Sequence, residues 1–176
     1  ATDLAEQRLI ARAQAGDGEA MATLYRRHVD AIACYIAYRV PDSAAVEDLT
    51  AEVFLRMVES LPGYHSTGAP FEAWLYRIAA TRVADHYRRG SWQEGALDEA
   101  STGTQDLAPE MDIVEREEFE ALRAALRELT DEQQEVVILR FVERLSHDEV
   151  ARILGKSPQA VAAAQHRALK KLADLL

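Results

Sequence analysis

The chain has 176 residues, 48% hydrophobic and 28% charged, which suits one globular domain or two small ones and excludes global disorder. Its longest apolar run, Ala31 to Tyr38, is far short of the roughly 20 residues a membrane helix needs, and no secretory-signal pattern opens the sequence. The net charge of −10 argues, as a total, against nucleic-acid binding, and the single cysteine, Cys34, excludes an internal disulfide framework and suits a reducing cytosol.

The distribution of charge changes that first argument. Residues 1–89 carry a net −2, residues 90–118 a net −8, and residues 119–176 are neutral. Most of the excess belongs to one stretch between two nearly balanced halves. Gly90-Ser91-Trp92-Gln93-Glu94-Gly95 through Thr102-Gly103-Thr104-Gln105-Asp106 cannot bury much apolar surface, so 90–111 is expected to be a flexible acidic linker. It is either a solvated tether or a mimic of nucleic-acid charge. With only eight Gly and five Pro, the halves are expected to be helical: two small all-α domains, 1–89 and 112–176.

In the first half, Asp17 is placed to cap a helix with Leu24, His28, Ile32 and Tyr35/Ile36 on one face. Cys34 on this helix reads as packing rather than as a nucleophile. Pro41-Asp42-Ser43 breaks the chain. A second helix turns Val46, Leu49, Val53 and Met57 inward and Glu47, Asp48, Glu52 and Arg56 outward. Two prolines and two glycines between Leu61 and Pro70 make a loop with stiff ends. A third helix starts at Pro70/Phe71, buries Phe71, Trp74, Leu75 and Ile78, and ends in Asp85-His86-Tyr87-Arg88-Arg89.

In the second half, Thr130-Asp131-Glu132-Gln133 and Ser146-His147-Asp148-Glu149 each fit a capping box. The first opens a helix carrying Val136, Val137, Leu139, Arg140 and Phe141. The second opens a short helix with Val150, Ala151, Ile153 and Leu154, stopped by Gly155. Ser157 and Pro158 then restart a helix that runs through Val161, Leu169 and Leu172. A two-turn helix, a three-residue turn with Gly and a longer helix make the helix-turn-helix pattern, whose second helix enters a DNA major groove.

These residues resemble a known family. Glu47 to Arg56, Pro70 to Ala79 and Asp85 to Arg89 look like region two of bacterial sigma factors, and Leu129 to Val136 with Leu145 to Gly155 resembles region four. With these two regions and a short linker, the chain is similar to the extracytoplasmic-function group. The resemblance implies that Glu47, Asp48, Glu52 and Arg56 dock on core RNA polymerase. It implies that the Pro62–Pro70 loop and the following helix read a −10 element as single-stranded DNA. Tyr64, His65 and Trp74 would meet bases, and Arg77, Arg82, Arg88 and Arg89 phosphates. Lys156, Ser157, Pro158, Gln159, Ala162, Ala163 and Arg167 would meet a −35 duplex.

Two positions depart from the family pattern. Ala80-Thr81 stand where an Arg-Asn pair is usual, which removes an amide from the −10 contacts. Val161-Ala162-Ala163-Ala164 replace a more polar run, so Gln159 becomes the main base reader and weak intrinsic −35 affinity is expected. The family also implies an anti-sigma partner, commonly the cytoplasmic domain of a membrane-anchored protein, acting on a cytoplasmic, monomeric chain that does not itself bind membrane. The alternative is a stand-alone helix-turn-helix regulator with a helical sensing half. No phosphate loop, HExxH motif or clustered Cys/His is present, so no enzyme, metal or cofactor is expected.

Overall fold

The computed structural model describes residues 3–66, 68–91 and 112–175, and the side chain of Ser91 is left aside. Helices α1 (Leu4–Gln14), α2 (Gly18–Arg39), α3 (Ser43–Ser60) and α4 (Phe71–Ser91) build the first half. Helices α5 (Ile113–Arg127), α6 (Asp131–Val137), α7 (His147–Leu154) and α8 (Pro158–Leu175) build the second. The described residues contain no strand, in line with the all-α expectation. No helix among them is long and apolar enough to cross a membrane. The expected linker lies outside the described residues except for Gly90 and Ser91, which form the end of α4 rather than a tether.

Short polar side chains start the helices of the first half by accepting otherwise unpaired backbone N–H groups. Asp3 accepts from Glu6 N at 2.7 Å, Asp17 from Glu19 N at 3.0 Å, and Asp42 from Ala44 N at 3.1 Å. Helix α1 is not among the expected helices, although Asp3 caps it. Tertiary bonds hold it. Glu6 meets His28 Nε2 at 2.5 Å, and the Gln14 amide donates to the carbonyls of Leu61 (3.0 Å) and Tyr64 (2.9 Å). The core of this half takes Leu24, Ile32, Tyr35 and Ile36 from α2 and Val46, Leu49, Val53 and Met57 from α3, as their spacing predicts. On α4 the buried strip is displaced from the one its spacing predicts. Phe71 and Leu75 are buried, but Trp74 and Ile78 are half-buried, and Tyr76, Ala79 and Val83 complete the inner face.

In the second half, Asp112 forms a capping box with Glu115 that the sequence reading passed over. The Thr130–Gln133 box is present in both directions, at 3.2 Å each way. The second expected box is half-formed: Ser146 Oγ accepts from Glu149 N at 3.1 Å. The Glu149 carboxylate, however, takes the Ser146 hydroxyl instead of its backbone N–H. After α6 the backbone widens into a π turn over Ile138–Val142, whose Glu143 N–H reaches back to Ile138 O at 3.0 Å. The bulge leaves Phe141 47% exposed while burying Ile138 and Leu139. Leu169 is exposed because α8 packs through Val161, Ala164, Ala168 and Leu172, a strip that puts Leu169 at the solvent edge.

Gly155 ends α7 with φ 65° and ψ 37°, and Lys156 N then bonds Ala151 O at 2.9 Å. A Cβ there would meet nothing within 4 Å, so only the left-handed backbone matters. Gly155→Ala is therefore expected to cost about 1–2 kcal/mol, read as a lowered urea midpoint with an unchanged slope. No loss would mean that the turn relaxes to another conformation.

The two halves share a buried polar boundary. Arg39 of α2 donates from Nε to Glu135 (3.0 Å) and from Nη1 to Gln134 (2.7 Å) of α6, and the Tyr35 hydroxyl donates to the other Glu135 oxygen. Tyr76 of α4 donates to Glu143 at 2.5 Å. The Tyr38 and Phe119 rings lie 4.7 Å apart between centroids. Burial pushes Glu135 and Glu143 above the usual carboxylate range, opposed at Glu135 by Arg39 and Tyr35 and at Glu143 by the Tyr76 hydroxyl. Burial alone would depress Arg39, but Glu135 together with Tyr35, Tyr87 and Asp131 outweighs it and keeps the guanidinium charged.

Candidate nucleic-acid interface

The loop after α3 begins as a 3₁₀ turn, Leu61–Gly63, with Leu61 fully buried. The Gln14 amide grips both ends of this turn, so Tyr64 leaves it in a defined direction. Its ring packs edge-on to Phe71 (5.3 Å) and tilted against Trp74 (4.7 Å). Phe71 also contacts Trp74 (5.4 Å) and His28 (5.5 Å). The result is an aromatic wall backed by buried Phe71, with Tyr64 and Trp74 half-buried and His65 exposed.

Tyr64, His65, Trp74 and Arg77 line one cavity of about 700 Å³, which Gly63, Ala69, Pro70 and Ala73 also border. A neighbouring cavity of about 310 Å³ is lined by Trp74 and Arg77 again, with Arg56, Ser60, Thr81 and Arg82. Trp74 and Arg77 thus stand between an aromatic pocket and a cationic one. Arg82 Nε is buried and has no hydrogen-bond partner among the described residues. Such a donor is costly to leave unmet and is suited to an oxygen acceptor arriving from outside. Thr81, one of the two residues that depart from the family pattern, borders this second cavity but spends its hydroxyl on Arg77 O at 3.0 Å.

The remaining expected residues are placed less compactly. Arg88 pairs with Asp85 one turn back, and Arg89 is exposed at the end of α4. Glu47 and Asp48 are exposed and Glu52 is half-buried on α3. Arg56, on the same helix, sits 3.8 Å from Glu59 and also faces the cationic cavity. It therefore joins Arg77 and Arg82 rather than standing only with the carboxylates. That grouping has no sequence signal, because it depends on how α3 crosses α4. Near the same carboxylates, Leu55 (60%), Val58 (46%) and Tyr25 (45%) are large apolar side chains left open.

On the second half, Ser157 Oγ accepts from Ala160 N at 3.1 Å, and Pro158 opens α8. Lys156, Ser157, Pro158, Gln159, Ala162, Ala163 and Arg167 are all exposed, on the face opposite Val161 and Ala164. Lys156 is engaged with Glu132 at 2.8 Å. The angle between α7 and α8 is held by Gln165, whose carbonyl oxygen meets Arg140 Nε (3.1 Å) and His147 Nε2 (2.8 Å). Arg140 in turn donates to Leu145 O at 2.7 Å. None of these three residues was expected to matter; their polar ends meet only through the tertiary fold. Two residues of α7, Arg152 and Ile153, form one wall of the aromatic cavity on the first half.

One half thus presents an aromatic and cationic surface and the other a capped helix-turn-helix. The Sigma-70 region 2 model matches residues 24–93, and the Sigma-70 region 4 model matches residues 119–172. The chain is 39% identical over 174 residues to the ECF RNA polymerase sigma factor BldN of Streptomyces coelicolor, covering 96% of this chain and 64% of BldN. It is 33% identical to the ECF RNA polymerase sigma factor SigD of Mycobacterium tuberculosis, covering 94% of this chain and 81% of SigD. Among solved structures it superposes on CnrH, determined in complex with the cytosolic domain of CnrY. The TM-score is 0.76 at 26% identity, covering 97% of this chain and 96% of CnrH. The chain belongs to the extracytoplasmic-function group of the sigma-70 family.

Proposed function

We propose that this chain is a dissociable specificity subunit that binds core RNA polymerase and directs it to promoters by reading −10 and −35 elements. In this reading residues 1–89 dock on the polymerase and hold the opened −10 strand, 90–111 join the halves, and 112–176 read the −35 duplex. The observation that carries it is the pair of cavities on α4. Bases stack on Tyr64 and Trp74, while the backbone runs past Arg77 toward Arg82 and Arg56. The unmet Arg82 Nε is suited to a phosphate oxygen. Arg88 and Arg89 extend the cationic track along α4. The exposed face of α8, with Gln159 at its first turn, suits major-groove reading. Its alanines supply little hydrogen bonding, which supports dependence on the polymerase and disfavours a stand-alone operator binder.

The carboxylates Glu47, Asp48 and Glu52, with Leu55 and Val58 beside them, form the surface offered to the polymerase. A charged rim around exposed apolar groups is the anatomy of a protein interface. A cytoplasmic anti-sigma domain is the expected restraining partner, supported by the superposition on CnrH in its complex with CnrY.

The test is run-off transcription with core polymerase on genomic fragments, followed by mapping of start sites. Initiation that requires both core and this chain supports the reading. Tight duplex binding without core, and no initiation with it, would leave the regulator reading instead. Asp48→Ala with Glu52→Ala is expected to weaken core association and lower its salt dependence, leaving the melting temperature nearly unchanged. Equal loss of stability and binding would mean that the face is structural.

A further inference from the structure

Helix α1 holds the aromatic wall from two sides. Glu6 meets His28 at 2.5 Å, and the His28 ring packs edge-on against Phe71 at 5.5 Å. Gln14 spends its amide on the loop: Nε2 donates to Leu61 O at 3.0 Å and to Tyr64 O at 2.9 Å, which uses both of its N–H groups. Leu61 O also accepts the Tyr64 N–H at 3.0 Å, so the bonds from Gln14 close the turn at both ends. Gln14 is well placed for this because its own position is fixed. It is the last residue of α1, a helix seated by buried Ile10 and Ala13. The turn into α2 follows at once. Gly16 N bonds Ala13 O at 3.0 Å, Asp17 N bonds Arg12 O at 3.0 Å, and Arg12 Nε reaches the Asp17 carboxylate at 2.9 Å. The amide therefore projects from a rigid corner.

The loop needs such a tie. Ile10, Ala11 and Gln14 face Tyr64, His65 and Ser66 across a cavity of about 290 Å³. On their other side Tyr64 and His65 line the cavity of about 700 Å³ that holds Trp74 and Arg77. This segment is thus a partition between two cavities. On its α1 side it meets open space rather than packed atoms, so the two hydrogen bonds set its distance from the helix. Without them the segment is free to settle toward α1, and the Tyr64 ring loses its 39° tilt against Trp74. A base stacks only on a ring presented at the right height and angle, so a shift of about 1 Å matters.

We propose that Gln14 is a positioning residue for strand capture. Through the carbonyls of Leu61 and Tyr64 it fixes Tyr64 and His65 against Trp74 at the height an extruded base requires, and it touches no base itself. The consequence for promoters rests on the function proposed above. The hold of Gln14 on the wall does not, and it can be measured without polymerase or DNA.

Two variants of the full chain test this. Gln14→Met keeps the length of the side chain and removes both donors, and Gln14→Glu keeps its shape but sets a carboxylate against two carbonyl oxygens. The chain has two tryptophans, so in a Trp92→Phe background the near-UV circular dichroism reports Trp74 and its neighbour Tyr64, 4.7 Å away. That signal is expected to change in both variants while far-UV helicity is kept. Each chain, bound to core polymerase, is then given single strands of a mapped −10 element with an abasic site at successive positions. In the wild type, loss of the base that stacks on the wall weakens binding roughly tenfold or more, and the position that becomes indifferent in Tyr64→Ala is that base. Gln14→Met is expected to reduce the ratio there to about threefold, and Gln14→Glu to reduce it further, with ratios at the other positions unchanged. A ratio cancels the folded fraction, so a chain that is merely less stable keeps the wild-type values. An unchanged ratio at the wall position, an equal change at every position, or an unchanged Trp74 signal would each overturn the proposal. Failure of run-off transcription, with the Trp74 signal and the strand ratio altered as described, would count against the promoter function alone.

Discussion

Phe71→Ala is expected to lower the free energy of unfolding by about 3–5 kcal/mol, the largest stability effect of a single truncation argued for this chain. Phe71 is fully buried at the first turn of α4 and touches Tyr64, Trp74 and His28 by its ring edges and faces. Truncation removes the backing of the aromatic wall and leaves a void beside these rings. The loss is expected in urea unfolding followed by tryptophan fluorescence, because Trp74 lies 5.4 Å from the deleted ring. Promoter opening should fall as well, since Tyr64 and Trp74 would turn into the void. A loss below about 1 kcal/mol would show that the wall stands without Phe71 and that the cavity is held by the loop alone.

The second large effect is functional. Tyr64→Ala with His65→Ala is expected to reduce opening of duplex promoters tenfold or more, from about 1–3 kcal/mol of stacking per base, while binding to core persists. The two positions divide the effect. His65 is exposed, so His65→Ala alone should alter opening with no change in melting temperature. Tyr64 is half-buried against Phe71 and Trp74, so Tyr64→Ala should also lower stability. Full activity of the double variant on every mapped promoter would remove the loop from the −10 assignment. A pre-opened template separates base capture from docking: if the defect lies in melting, pre-opening restores most of the activity.

What was legible from the sequence was local. Asp17, Thr130, Ser146 and Ser157 mark helix starts because a short oxygen-bearing side chain just before an apolar periodic run has one good use there. Gly155 marks a stop because a left-handed residue after a helix is costly for any other side chain. Two strong periodic faces, on α2 and α3, named their own core. From these local signs came the all-α class and the helix-turn-helix; the row on α8 came from the family resemblance. Tyr64 and His65, which line the cavity, were named through the family resemblance and not by a local sign.

What only the tertiary structure decided were relations between distant segments. Helix α1 is held by Glu6–His28 and by Gln14 on the loop carbonyls, contacts 22 to 50 residues apart that no local pattern names. Arg56 joins Arg77 and Arg82 because α3 crosses α4, although spacing alone put it beside Glu52. Leu169 faces water because alanines let α8 pack closely along another strip. The deepest difference lies at Glu135. In the sequence it is one acidic residue on a capped helix, indistinguishable from Glu132 three positions earlier. In the fold Glu132 reaches Lys156 near the surface, while Glu135 is buried between Tyr35 and Arg39, about a hundred residues away in the chain. Helix periodicity sets which side chains share a face, but whether that face meets water or another half of the molecule depends on long-range packing. That packing turned two independent helical halves into one closed arrangement.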